Sequence, residues 1–254
     1  MAANWEAPEA TGRVEERASE HTQIQRVAPA RTIPVERLQY HLLSPRVTCQ
    51  PLVEAAYELW RDVWQTTFLE VDGVAELRSD EFTRQDEIGV LTAGTACISV
   101  TALRWLDLST ARSREDSYFK PWPTDALQVL GRGVVGVSSN AVVHPDWRGT
   151  LLAPPENCAA KPVRLVYAAV GLTIQRFFES PAHCSVAVTR NDRRMDRICQ
   201  SLGASSLARI SLHGVDADVM RFPRCCVRQV EPALDTLWLR RLGAQELPPV
   251  AQRT

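Results

Sequence analysis

Read by the spacing of its apolar residues, the chain switches repeatedly between a period near two and a period near 3.6. Residues 33–44, IPVERLQYHLLS, read as a first strand. In 51–71, PLVEAAYELWRDVWQTTFLEV, the residues Val53, Ala56, Trp60, Val63, Trp64 and Thr67 fall at helical spacing, and Pro51 suits a first helical turn. A polar, turn-rich stretch, VDGVAELRSDEFTRQD, follows. Residues 87–108 read as two strands joined at Ala93-Gly94, and a long connection then carries a short helix near Asp125 to Leu130. The β-branched run VVGVSSNAVVHP (134–145) is a buried strand. A helix over 162–180 and a strand over 183–190 come next. In the helix predicted over 191–204, Met195, Ile198, Cys199 and Leu202 face inward and Gly203 is the stop. LARISLHGVDADVMRFP supplies one or two last strands, and EPALDTLWLRRLG a short terminal helix.

The strand–helix–strand unit at 134–190 requires a parallel pair. The fold expected is α/β, a mixed sheet with flanking helices and a central parallel strand pair. Residues 1–35 are rich in Ala, Glu, Arg, Thr and Pro and carry few large apolar side chains, so they read as a mobile arm. The main domain is expected over 36–224, with a short helix and tail over 225–254.

At 254 residues, 45% hydrophobic and 23% charged, the chain has the composition of a globular protein with a sizeable core. A net charge of −1 gives no global field to attract nucleic acid. No stretch approaches the ~20 apolar residues of a membrane span, and the first residues lack the apolar centre of a secretory signal. The seven cysteines are an odd number without a CxxC pair, a poor pattern for zinc or disulfides. Reduced thiols point to the cytoplasm. No metal-spaced cluster, Ser-His-Asp order or Walker loop is present.

Chemistry concentrates where the strand at 134–143 meets HPDWRGTLLAPPENCAAKP (144–162). A strand, an Arg-Gly turn and a helix start are the parts of an anion cradle, because free backbone N–H groups converge there. Here the turn has a single glycine, Gly149, and about a dozen residues separate it from the helix. Either a donor with fewer phosphates binds, or the insertion folds away and restores the cradle in space.

The order of elements, with VVHPDWRG, SVAVTRNDRRMDRICQSLGA and the hairpin at 87–108, resembles the GNAT superfamily of N-acyltransferases over roughly residues 40–222. ELWRDVW, SDEFTRQD and AGTACISVTALRW are similar to the corresponding segments of the acyl-homoserine-lactone and N-acyl amino acid synthases. The resemblance implies an acyltransferase without a tightly bound cofactor. It would take acyl-CoA or acyl-pantetheine as co-substrate, with acyl carrier protein as a partner and a small amino-acid-like amine as acceptor. It further implies that a backbone N–H near Val142 or Val143 polarises the thioester carbonyl. Arg148, Gly149, Thr150, Asn191 and Arg194 would then bind the donor.

Two departures bear on mechanism. Where the family often places a Glu as general base, this chain has Val137, and where the lactone synthases carry an Arg it has Asn140. By the period of two, Val137, Ser139, Ala141 and Val143 share a face, which makes Ser139 the nearest polar side chain. Ser139, Asn140 and His144 are therefore the catalytic candidates. His144, before a proline, also reads as structural, and Asn191 also reads as a helix N-cap. Arg190, Arg193, Arg194 and Arg197 form a basic cluster, either a docking patch for an acidic carrier or a solvated helix face. Asp80 and Glu81 are candidates for a substrate ammonium group, Arg104 for a substrate carboxylate and Trp64 for a substrate-binding acyl pocket, although these loop charges also read as ordinary exposed ones. Trp60, Trp64, Phe177 and Phe178 also read as core. The alternatives to an N-acyltransferase are a catalytically silent acyl- or carrier-binding module and a CoA-dependent acetyltransferase.

Overall fold

The structure, a computed structural model, describes residues 31–46, 50–73, 80–212, 214–225 and 231–243. Where one first strand is expected there are two, β1 (Thr32–Pro34) and β2 (Leu38–Leu43), parted by a 3-10 turn at Val35–Arg37. Pro34 has no N–H with which to continue a ladder, which accounts for the break. Next come α1 (Pro51–Thr67), running into a π-helical turn at Phe68–Asp72, and α2 (Asp80–Thr83). The hairpin β3 (Glu87–Ala93) and β4 (Ala96–Asp107) leads into a connection carrying α3 (Ala111–Arg114) and α4 (Thr124–Val129). Then follow β5 (Val134–Val143), β6 (Leu151–Ala153), β7 (Val163–Arg164) and α5 (Leu165–Phe178). The chain goes on through β8 (Cys184–Arg190), α6 (Met195–Ser201), β9 (Ser205–Leu212), β10 (Val215–Pro223) and α7 (Pro232–Leu239).

Seven strands form one twisted layer in the order β2-β3-β4-β5-β8-β10-β9. At its centre β5 and β8 run parallel, as the crossover through α5 requires, and the other neighbours are antiparallel. The mixed sheet with flanking helices and a central parallel pair is thus the architecture the sequence predicts. On one face α1 packs Val53, Ala56 and Trp60 against Val90, Val100 and Val142. On the other, α5 and α7 pack Leu165, Leu172, Leu234 and Leu237 against Leu91 and Ile98.

Both ends of the described chain differ from expectation. Residues 31–35, assigned to a mobile arm, are held in place: β1 pairs with β6 in a small second sheet, and Ile33 and Val35 are buried. The rest of the expected arm, 1–30, lies outside the described residues. The terminal helix α7 is part of the core, with Ala233, Leu234, Leu237 and Trp238 buried. It comes so close to α5 that a Cβ on Gly171 would sit 2.1 Å from Leu234 Cδ2. The expected tail from 244 onward lies outside the described residues.

A buried ion pair ties α5 to the sheet. Arg176 donates to both oxygens of Glu87, Nε to Oε2 at 2.7 Å and an Nη to Oε1 at 2.7 Å, and Trp105 Nε1 adds a third donor at 3.1 Å. The bidentate fork offsets the desolvation of both charges. Replacing Arg176 with Met leaves a buried carboxylate without its cation. Thermal or urea denaturation should show a loss of about 3–5 kcal/mol.

Candidate functional site

The site begins where the two central strands part. β5 and β8 pair from Val135↔Cys184 to Val137↔Val186, and the pairing stops there. Beyond that point β5 stays with β4, and β8 stays with β10 as far as Ala217↔Arg190. Within β5 a bulge falls at Asn140 and Ala141: two residues stand between Ser139 and Val142 where β4 has only Thr101 between Ala102 and Val100. Asn140 carries the strain in the left-handed conformation, φ 55°, a region asparagine tolerates better than most residues. Past the bulge the alternation reverses. Val137 belongs to the cluster with Phe119 and Trp122, whereas Ala141 packs against the α5 and α6 cluster and Val143 against the α5 and α7 cluster. The four residues expected on one face are therefore split, because an extra residue in a strand flips every later side chain.

His144 N–H is donated to Ile98 O at 2.9 Å. By alternation along an antiparallel ladder, the N–H of Val143 points away from β4 and into the gap. The gap opens into a cavity of about 1410 Å³ that passes between the strands and reaches both faces of the sheet.

One mouth is basic. The excursion 151–164 leaves the strand end and returns to it, and Leu165 N–H, the first of α5, is donated to Thr150 O at 2.9 Å. That bond sets the Arg-Gly turn against the helix start despite the insertion. Arg148, Gly149, Arg164, Leu165 and Val166 line the cavity here. Gly149 has φ +82°, a conformation that favours glycine. Across the gap, Arg190, Arg193, Arg194 and Arg197 line the opposite wall. Arg190 is buried and bonded to Asp192, which the exposed Arg193 also approaches at 3.6 Å. Arg194 sits at φ 56° and lets α6 begin one residue later.

The other arm lies on the α1 side of the sheet. Trp60, Val63, Trp64 and Phe68 give it an apolar end, with Trp64 and Phe68 rings 5.3 Å apart. Arg104, Val137's partner on β4, is buried and donates to Asp116 Oδ1 at 2.7 Å. The same oxygen accepts Tyr118 N–H at 2.9 Å, so one carboxylate orients two cavity residues. Several buried polar atoms on this lining lack a hydrogen-bond partner: Trp60 Nε1, Trp64 Nε1, Arg104 Nε and Ser139 Oγ. Among the described residues the lining holds arginines and a lysine but no carboxylate.

Of the residues singled out from sequence, Ser139, Asn140, Val142, Val143, Arg148, Gly149, Arg194, Arg104 and Trp64 meet at this cavity. Three do not. His144 is half exposed and caps the turn at Pro145–Trp147 by accepting Asp146 N–H at Nδ1, because the strand has ended there. Thr150 is buried and anchors α5 rather than lining the cavity. Asn191 is no helix N-cap, since α6 starts at Met195 after the left-handed Arg194; its side chain serves Asp218 instead. The side chains of Asp80 and Glu81 lie outside the described residues. Sequence reasoning missed Tyr118, Lys120 and Arg164. Arg164 was readable as the residue just before the helix, but nothing local marks Tyr118 or Lys120 in their long connection. No group of three or more His, Cys, Asp or Glu that could hold a metal occurs among the described residues.

No family model matches the chain, and no curated protein sequence matches it. Among solved structures it is similar to BjaI, a CoA-dependent acyl-homoserine lactone synthase with SAM and isopentyl-CoA. That match has 13% identity and a TM-score of 0.47, over 80% of this chain and 89% of that one. It is similar to FeeM, an N-acyl amino acid synthase from uncultured soil microbes, at 13% identity and a TM-score of 0.45, over 74% and 93%. It is also similar to yncA of Salmonella typhimurium, a putative acetyltransferase with acetyl-CoA, at 11% identity and a TM-score of 0.44, over 77% and 97%.

The bulge makes a checkable demand on residue 140. Asn140→Gly should stay within about 1 kcal/mol of the parent in chemical denaturation, whereas Asn140→Val, β-branched at positive φ, should lose about 1–3 kcal/mol.

Proposed function

We propose that the protein is an N-acyltransferase that moves an acyl group from a thioester donor to the amine of a small, amino-acid-like acceptor. The observation that carries this reading is the gap between β5 and β8, with a basic mouth on one side and an arm ending in Trp60, Trp64 and Phe68 on the other. A pantetheine arm has amides that pair with an open strand edge. Its phosphate is suited to the turn at Arg148 and Gly149, the N–H groups of α5 that follow Leu165 and the facing arginines. The thioester carbonyl then accepts from the Val143 N–H, which stabilises negative charge as the carbonyl becomes tetrahedral. The acceptor lies on the α1 side, its carboxylate at Arg104 and an amine N–H accepted by Ser139 Oγ. The amine nitrogen forms a bond to the carbonyl carbon, the carbon–sulfur bond breaks, and the thiol leaves.

Val137 cannot remove a proton, and no carboxylate lines the described cavity. The acceptor therefore reacts as the free amine, and the rate should rise with pH as that form accumulates. The same absence favours a second reading, a silent module that binds acyl donors without consuming them. A cavity of about 1410 Å³ leaves room for a long acyl chain as well as for acetyl.

Mass spectrometry of the purified protein with acyl-CoA or acyl-carrier-protein donors and a pool of amino acids separates these readings. An N-acyl amino acid is the expected product; donor binding without product leaves the silent module. Gly149→Val and Arg194→Glu should each weaken acyl-CoA binding about tenfold or more by calorimetry, the loss typical of a charge-assisted contact. Reversing Arg193 and Arg194 together should slow transfer from carrier protein more than from CoA at low salt, because steering of an acidic carrier is screened by ions.

A further inference from the structure

We propose that the acceptor is an acidic amino acid, aspartate or glutamate, held with its α-carboxylate at Arg104 and its side-chain carboxylate at Lys120. The inference rests on the acyl-transfer reading above and narrows its acceptor.

One turn positions both cations. Ser117–Phe119, in the connection between β4 and β5, is a 3-10 turn that Asp116 opens and Lys120 closes. Asp116 Oδ1 accepts from Arg104 at 2.7 Å and from the Tyr118 N–H at 2.9 Å, and the Lys120 N–H is donated to Ser117 O at 3.3 Å. Arg84 donates to Ser117 Oγ at 3.0 Å, which ties the turn to the segment before β3. At a rise of about 2 Å per residue, Lys120 follows Asp116 by about 8 Å along the turn. Arg104, Ser117, Tyr118 and Lys120 all line the cavity. The turn is thus one wall of the acceptor arm, with a cation at each end.

The two ends differ in depth. Arg104 is buried opposite Val137, the last residue of β5 paired to β8, so it stands beside the gap. Asp116 engages one of its terminal nitrogens. The other has no protein partner among the described residues and keeps accessible surface, so it receives a substrate carboxylate without breaking the bond to Asp116. An α-amine is one carbon from that carboxylate, within reach of the gap where the thioester is proposed to react. Lys120 lies exposed at the rim, and its ammonium enters no ion pair or hydrogen bond among the described residues. No carboxylate of the described lining competes for it. A lysine is a compact charge on a flexible stem, so it follows the side-chain acid of either aspartate or glutamate. A basic side chain would meet like charge there, and a neutral one would gain nothing.

The test uses the purified full chain with decanoyl-CoA or a decanoyl carrier protein as donor, and follows thiol release with one acceptor at a time. L-Glutamate and L-aspartate are compared with L-glutamine and L-asparagine, which keep the shape and lose the charge. The expected kcat/KM is higher for each acid than for its amide by about fivefold or more, between the worth of an exposed ion pair and that of a charge-assisted hydrogen bond. In Lys120→Gln the preference should fall below about twofold through a higher KM for the acids, and Lys120→Arg should restore it. Amides consumed as well as their acids overturn the inference and leave acyl transfer standing. A full preference that persists in Lys120→Gln overturns the placement at Lys120. A wild type that binds either donor yet releases no thiol with any standard amino acid overturns the acyl-transfer reading, and the inference with it.

Discussion

Backbone hydrogen bonds are shared between β5 and β8 over only three residue pairs, and what surrounds this short seam follows from how each strand is satisfied afterwards. Every buried N–H and C=O needs a partner. β5 keeps β4, and β8 keeps β10, so each remains a stable strand on its outer edge while its inner edge is left open. Two open edges facing one another across a wedge make a slot that an extended amide-bearing chain completes as a strand would. The bulge at Asn140 enlarges the wedge by twisting β5 away and turns the Val143 N–H into it.

Charge is distributed along this slot according to burial. At the outer mouth Arg193, Arg194 and Arg197 keep contact with water, while the buried Arg190 bonds Asp192. Deeper in, Arg104 is buried and is tolerated there because Asp116 bonds it directly. Asp116 also fixes the Tyr118 backbone, so a single carboxylate outside the cavity lining holds two residues that line it. The field in the slot is positive along its described length, which suits anionic ends on both substrates and leaves nothing among the described residues to stabilise an ammonium group there.

Much of this fold could be read from periodicity, and the site only in part. β5 was legible from its β-branched run and α1 from the spacing of Val53, Ala56 and Trp60, because period alone separates strand from helix. The bulge was not legible: period two assumes an unbroken ladder, and a lone Asn in a strand does not announce a left-handed residue. The faces of Ala141 and Val143 were misassigned for that one reason. Asn191 looked like a cap because a polar residue after a strand usually is one, but the chain spends Arg194 on a left-handed turn first. Tyr118 reaches the cavity through tertiary packing with Phe119 and Trp122, and no local spacing encodes that.

The bond from Leu165 N–H to Thr150 O closes residues 151–164 into a loop with fixed ends. For a flexible closed loop, each doubling in length costs only about 0.6 kcal/mol of closure entropy. The helix start and the Arg-Gly turn are therefore held together by the clasp, whatever lies beyond it. Between β6 and β7, residues 154–162 can lengthen, shorten or change composition while the paired strands and the clasp keep the anion-facing geometry where it is. The feature that looks from the sequence like a broken phosphate loop is, mechanically, an interchangeable outer cassette on an intact hinge point.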